Sequence, residues 1–114
     1  MSAEVRQALA DAVSSVPDIN CTPYYRQSMR SGDACVRLAA SNRANFGRIN
    51  TWQIWLVIPQ DMGQAERWLD EHIDALCAAL DPEFIQGVQS VTPSELILGA
   101  VSANGVVIEG AREG

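Results

Sequence analysis

Residues 51–58, Thr-Trp-Gln-Ile-Trp-Leu-Val-Ile, constrain the fold more than any other stretch of this chain. The run is rich in β-branched and aromatic side chains, the types that suit a pleated and buried surface. It is far short of the roughly 18 apolar residues that a membrane-spanning helix needs. Its side chains are apolar on both faces, so it reads as a central strand with helices covering one side. The other face then needs a second cover. Around it, residues 34–40 form a partner strand, with Val36 and Leu38 on one face and Cys35 and Arg37 on the other. Residues 41–50 are polar, contain Gly47 and three Asn, and read as a long hairpin loop.

Two helices supply the cover. Val5, Ala8, Leu9, Ala12, Val13 and Val16 repeat at i, i+3, i+4 and share one face. Ser2 is the expected N-cap, Glu4 falls in the first turn, and Pro17 ends the helix. The second helix follows Asp61-Met62-Gly63-Gln64, a capping-box pattern. Its apolar stripe is Ala65, Trp68, Leu69, His72, Ile73, Leu76, Ala79 and Leu80. Pro82 starts a short turn or helix that runs through Phe84 and Ile85. Between the first helix and the Ser31-Gly32-Asp33 turn, residues 19–25 make a short extended arm, confined by Pro23 to an edge. The tail reads as a hairpin: residues 89–98 out with Pro93 at an edge or bulge, Asn104-Gly105 as a type I′ turn, and 106–108 back. The expected fold is α+β, a single domain over residues 1–114. Two helices pack on one face of a mostly antiparallel sheet of four or five strands, in the order α-β-ββ-α-ββ.

Composition narrows the function classes. At 47% hydrophobic and 19% charged, the 114-residue chain is not a disordered polymer. Three Cys without a CxxC pair, and a single His, fit neither a disulfide scaffold nor a zinc site. Net charge is −6, which disfavours broad electrostatic capture of nucleic acid. All eight basic residues are Arg. They are distributed unevenly: residues 1–50 carry six Arg against four acids, and residues 51–114 two Arg against ten acids. Halves of opposite sign can stack one copy on another, or simply solvate the surface. No targeting segment is visible, and the expected setting is soluble and reducing.

Few residues offer chemistry. His72 is the one imidazole, on an apolar stripe beside Trp68 and Ile73, where packing explains it as well as catalysis. Cys21, Cys35 and Cys77 show no paired spacing and read as small buried hydrophobes. Glu66, Asp70 and Asp74 line one helix face at i, i+4, where like charges repel by a few tenths of a kcal/mol. Such a stripe can face an Arg-rich partner, hold a cation, line a channel past which an anionic polymer slides, or only meet solvent. Arg43-Ala44-Asn45-Phe46-Gly47-Arg48 sets an aromatic between two guanidiniums, as a nucleic-acid stacking loop or a protein-contact loop would. No catalytic residue, cofactor site or metal site emerges.

Several local patterns, spread over nearly the whole chain, resemble the tail terminator (tail-completion) proteins of long-tailed bacteriophages. They are the helix ending at Val16-Pro17, the arm Thr22-Pro23-Tyr24-Tyr25, and the strand entry from Gly32 to Val36. The Trp-led strand at Thr51-Trp52-Gln53-Ile54, the helix from Ala65 to Leu80 and the closing two-stranded unit complete the set. Arg26 to Met29 departs from the Pro-rich arm expected of such proteins. The resemblance implies a virion structural protein and no enzyme: a ring, of six subunits, that caps the tail tube and joins it to the head connector. It implies self-association, contacts with the tail tube and head–tail connector proteins, and DNA passing through without specific binding. It also implies a place at the head-proximal end of the tail after assembly in the host cytoplasm, with no membrane contact.

A ring of this kind needs two unlike patches per subunit, because head-to-tail contacts are heterologous. Trp52, Trp55, Arg43, Phe46 and Arg48 are the interface candidates, and Glu66, Asp70 and Asp74 the acidic residues facing a lumen or partner. Trp55→Glu is expected to abolish self-association and leave the fold intact. The rival readings are a head–tail connector or stopper, and a small cellular α+β domain that binds a ligand or regulates a partner.

Overall fold

A computed structural model describes residues 2–27, 29–45 and 47–113, and for Ser2 the backbone alone. The elements run α1 (Ser2–Ser14), β1 (Asn20–Thr22), β2 (Asp33–Ala44), β3 (Gly47–Val57), α2 (Met62–Leu80), a 3₁₀ turn (Asp81–Glu83), β4 (Ser90–Leu98) and β5 (Val101–Glu113). The fold is α+β in the order α-β-ββ-α-ββ, on one five-stranded mixed sheet ordered β1-β2-β3-β5-β4. The β1–β2 pairing is parallel and the others are antiparallel. The run that is apolar on both faces sits at the centre of the sheet, since only a central strand buries both sides.

Period-two alternation sorts β3 between two cores. Trp52, Ile54 and Leu56 face the helices and are fully buried, together with Val36, Val106 and Ile108 of the neighbouring strands. Above them lie Val5, Leu9, Val13 and Val16 from α1 or its end, and Ala65, Leu76 and Leu80 from α2. On the far face Val57, Leu96 and Leu98 form a smaller core, against which Met29, Trp55, Ala103 and Val107 pack. Met29 belongs to the segment joining β1 to β2, which is the second cover that the central strand needs.

Helix ends follow their chemistry. The Asp61 carboxylate accepts the Gln64 N–H at 3.0 Å, the expected N-cap bond. Ser2 is already the first helical residue of α1, so the cap position falls at Met1, outside the described residues. Arg6 staples α1 to the sheet. Its Nη1 donates to the Pro23 and Val36 carbonyls at 3.0 and 3.1 Å, and its guanidinium lies over the Tyr24 and Trp52 rings.

Three expectations are corrected. Residues 41–50 are not a long loop: β2 and β3 stay paired out to Ala44–Gly47, past a register shift between Leu38 and Ala40. The polar composition there reflects strands that project beyond the helices into water. Leu38 shares a face with Val36, yet it is 44% exposed because the cover ends there. The Asn104-Gly105 pair does not turn the chain. The turn is Gly99-Ala100, between the paired Leu98 and Val101, with Gly99 at φ 69° as a two-residue hairpin with a leading Gly requires. Asn104 is instead clamped inside β5 by Gln60, whose amide oxygen accepts the Asn104 N–H at 2.8 Å. A side chain at position 105 would run into Leu96 and the Leu56 carbonyl, so Gly105 makes room for the smaller core. The return strand therefore spans Val101–Glu113, not 106–108.

The molecule measures 46 × 31 × 20 Å. A twelve-residue strand such as β2 is about 40 Å long, so the β2–β3 hairpin accounts for the long axis. The exposed area is 6510 Å², above the roughly 6,000 Å² that mass scaling gives for a compact chain of this size, in keeping with a projecting arm.

Candidate functional site

Cross-strand pairing brings the two arginines of the hairpin to one face of its tip. Arg43 and Arg48 are directly opposite one another, next to the pair Ser41–Asn50. Opposed residues share a face, and residues two apart along a strand share it too. Arg48 and Asn50 therefore continue the helix-facing side of Trp52, with Asn50 still buried and Arg48 exposed. Both arginines are exposed. Among the described residues neither has an ion-pair partner, and Arg48 Nη1 reaches only the Ser41 carbonyl at 3.5 Å. With Ala44, Asn45 and Gly47 they line an open recess at the tip. Phe46, the aromatic between them, lies outside the described residues. Asn50 is 7% exposed, and its Oδ1 has no hydrogen-bond partner among the described residues. Arg112 of β5, opposite Asn50, is tied to Glu83 at 3.2 Å.

The acidic stripe is elsewhere. Glu66, Asp70 and Asp74 are exposed along α2, joined by Glu71 and by one cation, Arg67. Like Arg43 and Arg48, these carboxylates have no ion pair among the described residues.

The two tryptophans part company. Trp52 is fully buried at the centre of the main core, so no neighbouring subunit reaches it. The expectation that it lies at an interface is corrected by its register, which points it toward the helices. Its Nε1–H has no hydrogen-bond partner among the described residues, a cost carried by the core. Trp55 points to the opposite face and is half-buried. There Arg37 lies 4.5 Å from its ring and 4.8 Å from that of Tyr25, and the two rings meet edge-on at 6.4 Å. Trp55 Nε1–H donates to Gln53, which in turn donates to Glu109 at 2.9 Å. This cation–aromatic stack escapes the sequence because it needs the strand register and the return of the β1–β2 segment. Trp55 also packs on the smaller core, so Trp55→Glu would damage packing as well as surface.

The residues capable of chemistry are occupied in structure. His72 stacks on Trp68 at 4.0 Å between centroids, and its Nδ1–H donates to the Trp68 carbonyl at 2.7 Å, an acceptor that fixes the proton on that nitrogen. Its Nε2 is 3.9 Å from Asp18 in the turn after α1. Burial pushes the Cys21 thiol up to about 12, with Cys35 adding to the rise. Burial likewise raises Cys35, and raises Cys77 with help from Asp81 and Asp74. Thiols so displaced stay protonated near neutrality, which removes their nucleophilicity. Among the described residues no three His, Cys, Asp or Glu side chains converge on a metal position, and no helix is long and apolar enough to cross a membrane.

No protein-family model matches the sequence, and no curated protein shows a significant match to it.

Proposed function

We propose that this chain is a non-catalytic structural subunit that assembles head-to-tail into a ring, acting as a tail terminator in a long-tailed phage. The ring, six subunits in the form proposed, caps the tail tube and presents a surface to the head–tail connector. One observation carries the reading. The β2–β3 hairpin projects past both helices and ends in two exposed guanidiniums that have no ion-pair partner among the described residues. The described residues of this arm belong to neither core, and it offers a neighbour an extended surface. The reading also draws on the resemblance of the local sequence patterns to tail terminators.

Electron microscopy of the purified protein, with its mass in solution, tests this. Rings, and a mass about six times 12.4 kDa, are expected. A chain that stays monomeric up to millimolar concentration overturns the reading and favours a small ligand-binding domain. A dimer with two-fold symmetry overturns it as well, because such an interface uses one patch twice and does not continue around a ring.

A further inference from the structure

We infer that the surface receiving the hairpin is the outer face of α2 on a second copy of this chain, Arg43 and Arg48 docking against Glu66, Asp70 and Asp74. This rests on the ring reading and names the contact that would build it. The helix-facing side of the sheet changes character along β3. It is buried and apolar at Trp52, Ile54 and Leu56, buried and polar at Asn50, and exposed at Arg48, with Ser41 and Arg43 opposite the last two. Asn50 is more than nine-tenths buried and its amide oxygen has no partner among the described residues, so this end of the face is polar down to its base. Such a surface suits a charged partner and not an apolar one. The opposite charge lies elsewhere on the same chain. Residues 51–114 hold ten acids against two Arg, and the exposed side of α2 concentrates Glu66, Asp70, Glu71 and Asp74 around the single Arg67.

The spacings agree. Side chains directly opposite on antiparallel strands have Cβ atoms about 5 Å apart, and those at i, i+4 on a helix about 6 Å. Two guanidiniums side by side at the hairpin tip therefore match two consecutive carboxylates of the stripe, and a guanidinium fork suits a carboxylate. Hairpin and helix are different surfaces of the same chain, so the contact is heterologous and propagates from copy to copy until rotation closes it. Docking also relieves the mutual repulsion of the stripe, which Arg67 alone offsets on a free helix.

Charge reversal with rescue tests the contact. R43E/R48E alone and E66R/D70R/D74R alone should each lose the wild-type mass and run as monomers, with unchanged circular dichroism because all five side chains are exposed. Mixing the two variants should restore rings, since each then offers what the other lacks. The wild-type ring should dissociate as salt rises, because exposed ion pairs are screened. Rings that persist in R43E/R48E, or a ring mass indifferent to salt, overturn this contact while leaving the ring itself standing. Should a reversed variant misfold, the salt series on the wild-type protein decides alone. A wild-type chain that never assembles overturns the ring reading and this inference together.

Discussion

Arg6 shows how much structure one side chain can hold. A single guanidinium reaches two backbone carbonyls from different segments and lies over two aromatic rings. Arg6→Ala should cost about 2 kcal/mol in urea denaturation, since it strands two acceptors and removes a charged donor. Arg6→Lys should recover less than half of that, because an ammonium lacks the planar fork. Cys21 makes a pH-dependent contribution. Its thiol ionises near 9 when unfolded and near 12 when folded, so between those values the unfolded chain releases a proton that the native one keeps. The stabilisation is complete below pH 9 and is lost as pH climbs toward 12, by about 1.4 kcal/mol per pH unit. Urea midpoints measured across that window should fall more steeply for the wild-type chain than for Cys21→Ala. Parallel slopes would mean that the thiol ionises freely in the native protein. Neither residue stands out in the sequence: Arg6 lies on an ordinary amphipathic helix, and its acceptors come from 17 and 30 residues away.

At the scale of elements, periodicity predicts the core and local signals predict the ends, with different success. The stripes of α1 and α2 and the alternation of β3 are direct consequences of burial, so they are readable before any contact is known. Turn chemistry is less decisive when two candidates compete. Asn104-Gly105 outranks Gly99-Ala100 on turn preference, yet Asn104 is held by Gln60, 44 residues away, and Gly105 is required by Leu96. Gly99→Ala should therefore cost about 1 kcal/mol through its positive φ. Gly105→Ala should cost about 1–3 kcal/mol through overpacking. Thermal unfolding of the two variants checks both, and a neutral Gly99→Ala would mean that the turn lies elsewhere. Asp61→Ala should lower stability by about 1 kcal/mol through its lost bond to the Gln64 N–H.

Over the whole molecule, the hairpin separates what folds the chain from what it offers outward. Residues 42–45 and 47–49 belong to neither core. Replacing them by a two-residue Asn-Gly turn between Ser41 and Asn50 should leave helix content intact and the melting temperature within a few degrees. The same deletion should abolish assembly, read as a monomer in sedimentation. Loss of folding in that variant would show that the arm stabilises its own subunit.

The sequence by itself determined the fold class, the order of elements, both helices with the Asp61 cap, and the central place of β3. It also marked the hairpin arginines and the acidic stripe as unusual. These follow from period, composition and local capping, all of which act within a few residues. Only the tertiary structure decided that 41–50 is paired strand, that Trp52 faces inward and Trp55 outward, that Asn104-Gly105 is a clamp, and that Arg37 stands between two rings. Those outcomes depend on register and on where the helical cover ends. Both are set by contacts between distant segments, and one residue of register moves every side chain of a strand to its other face.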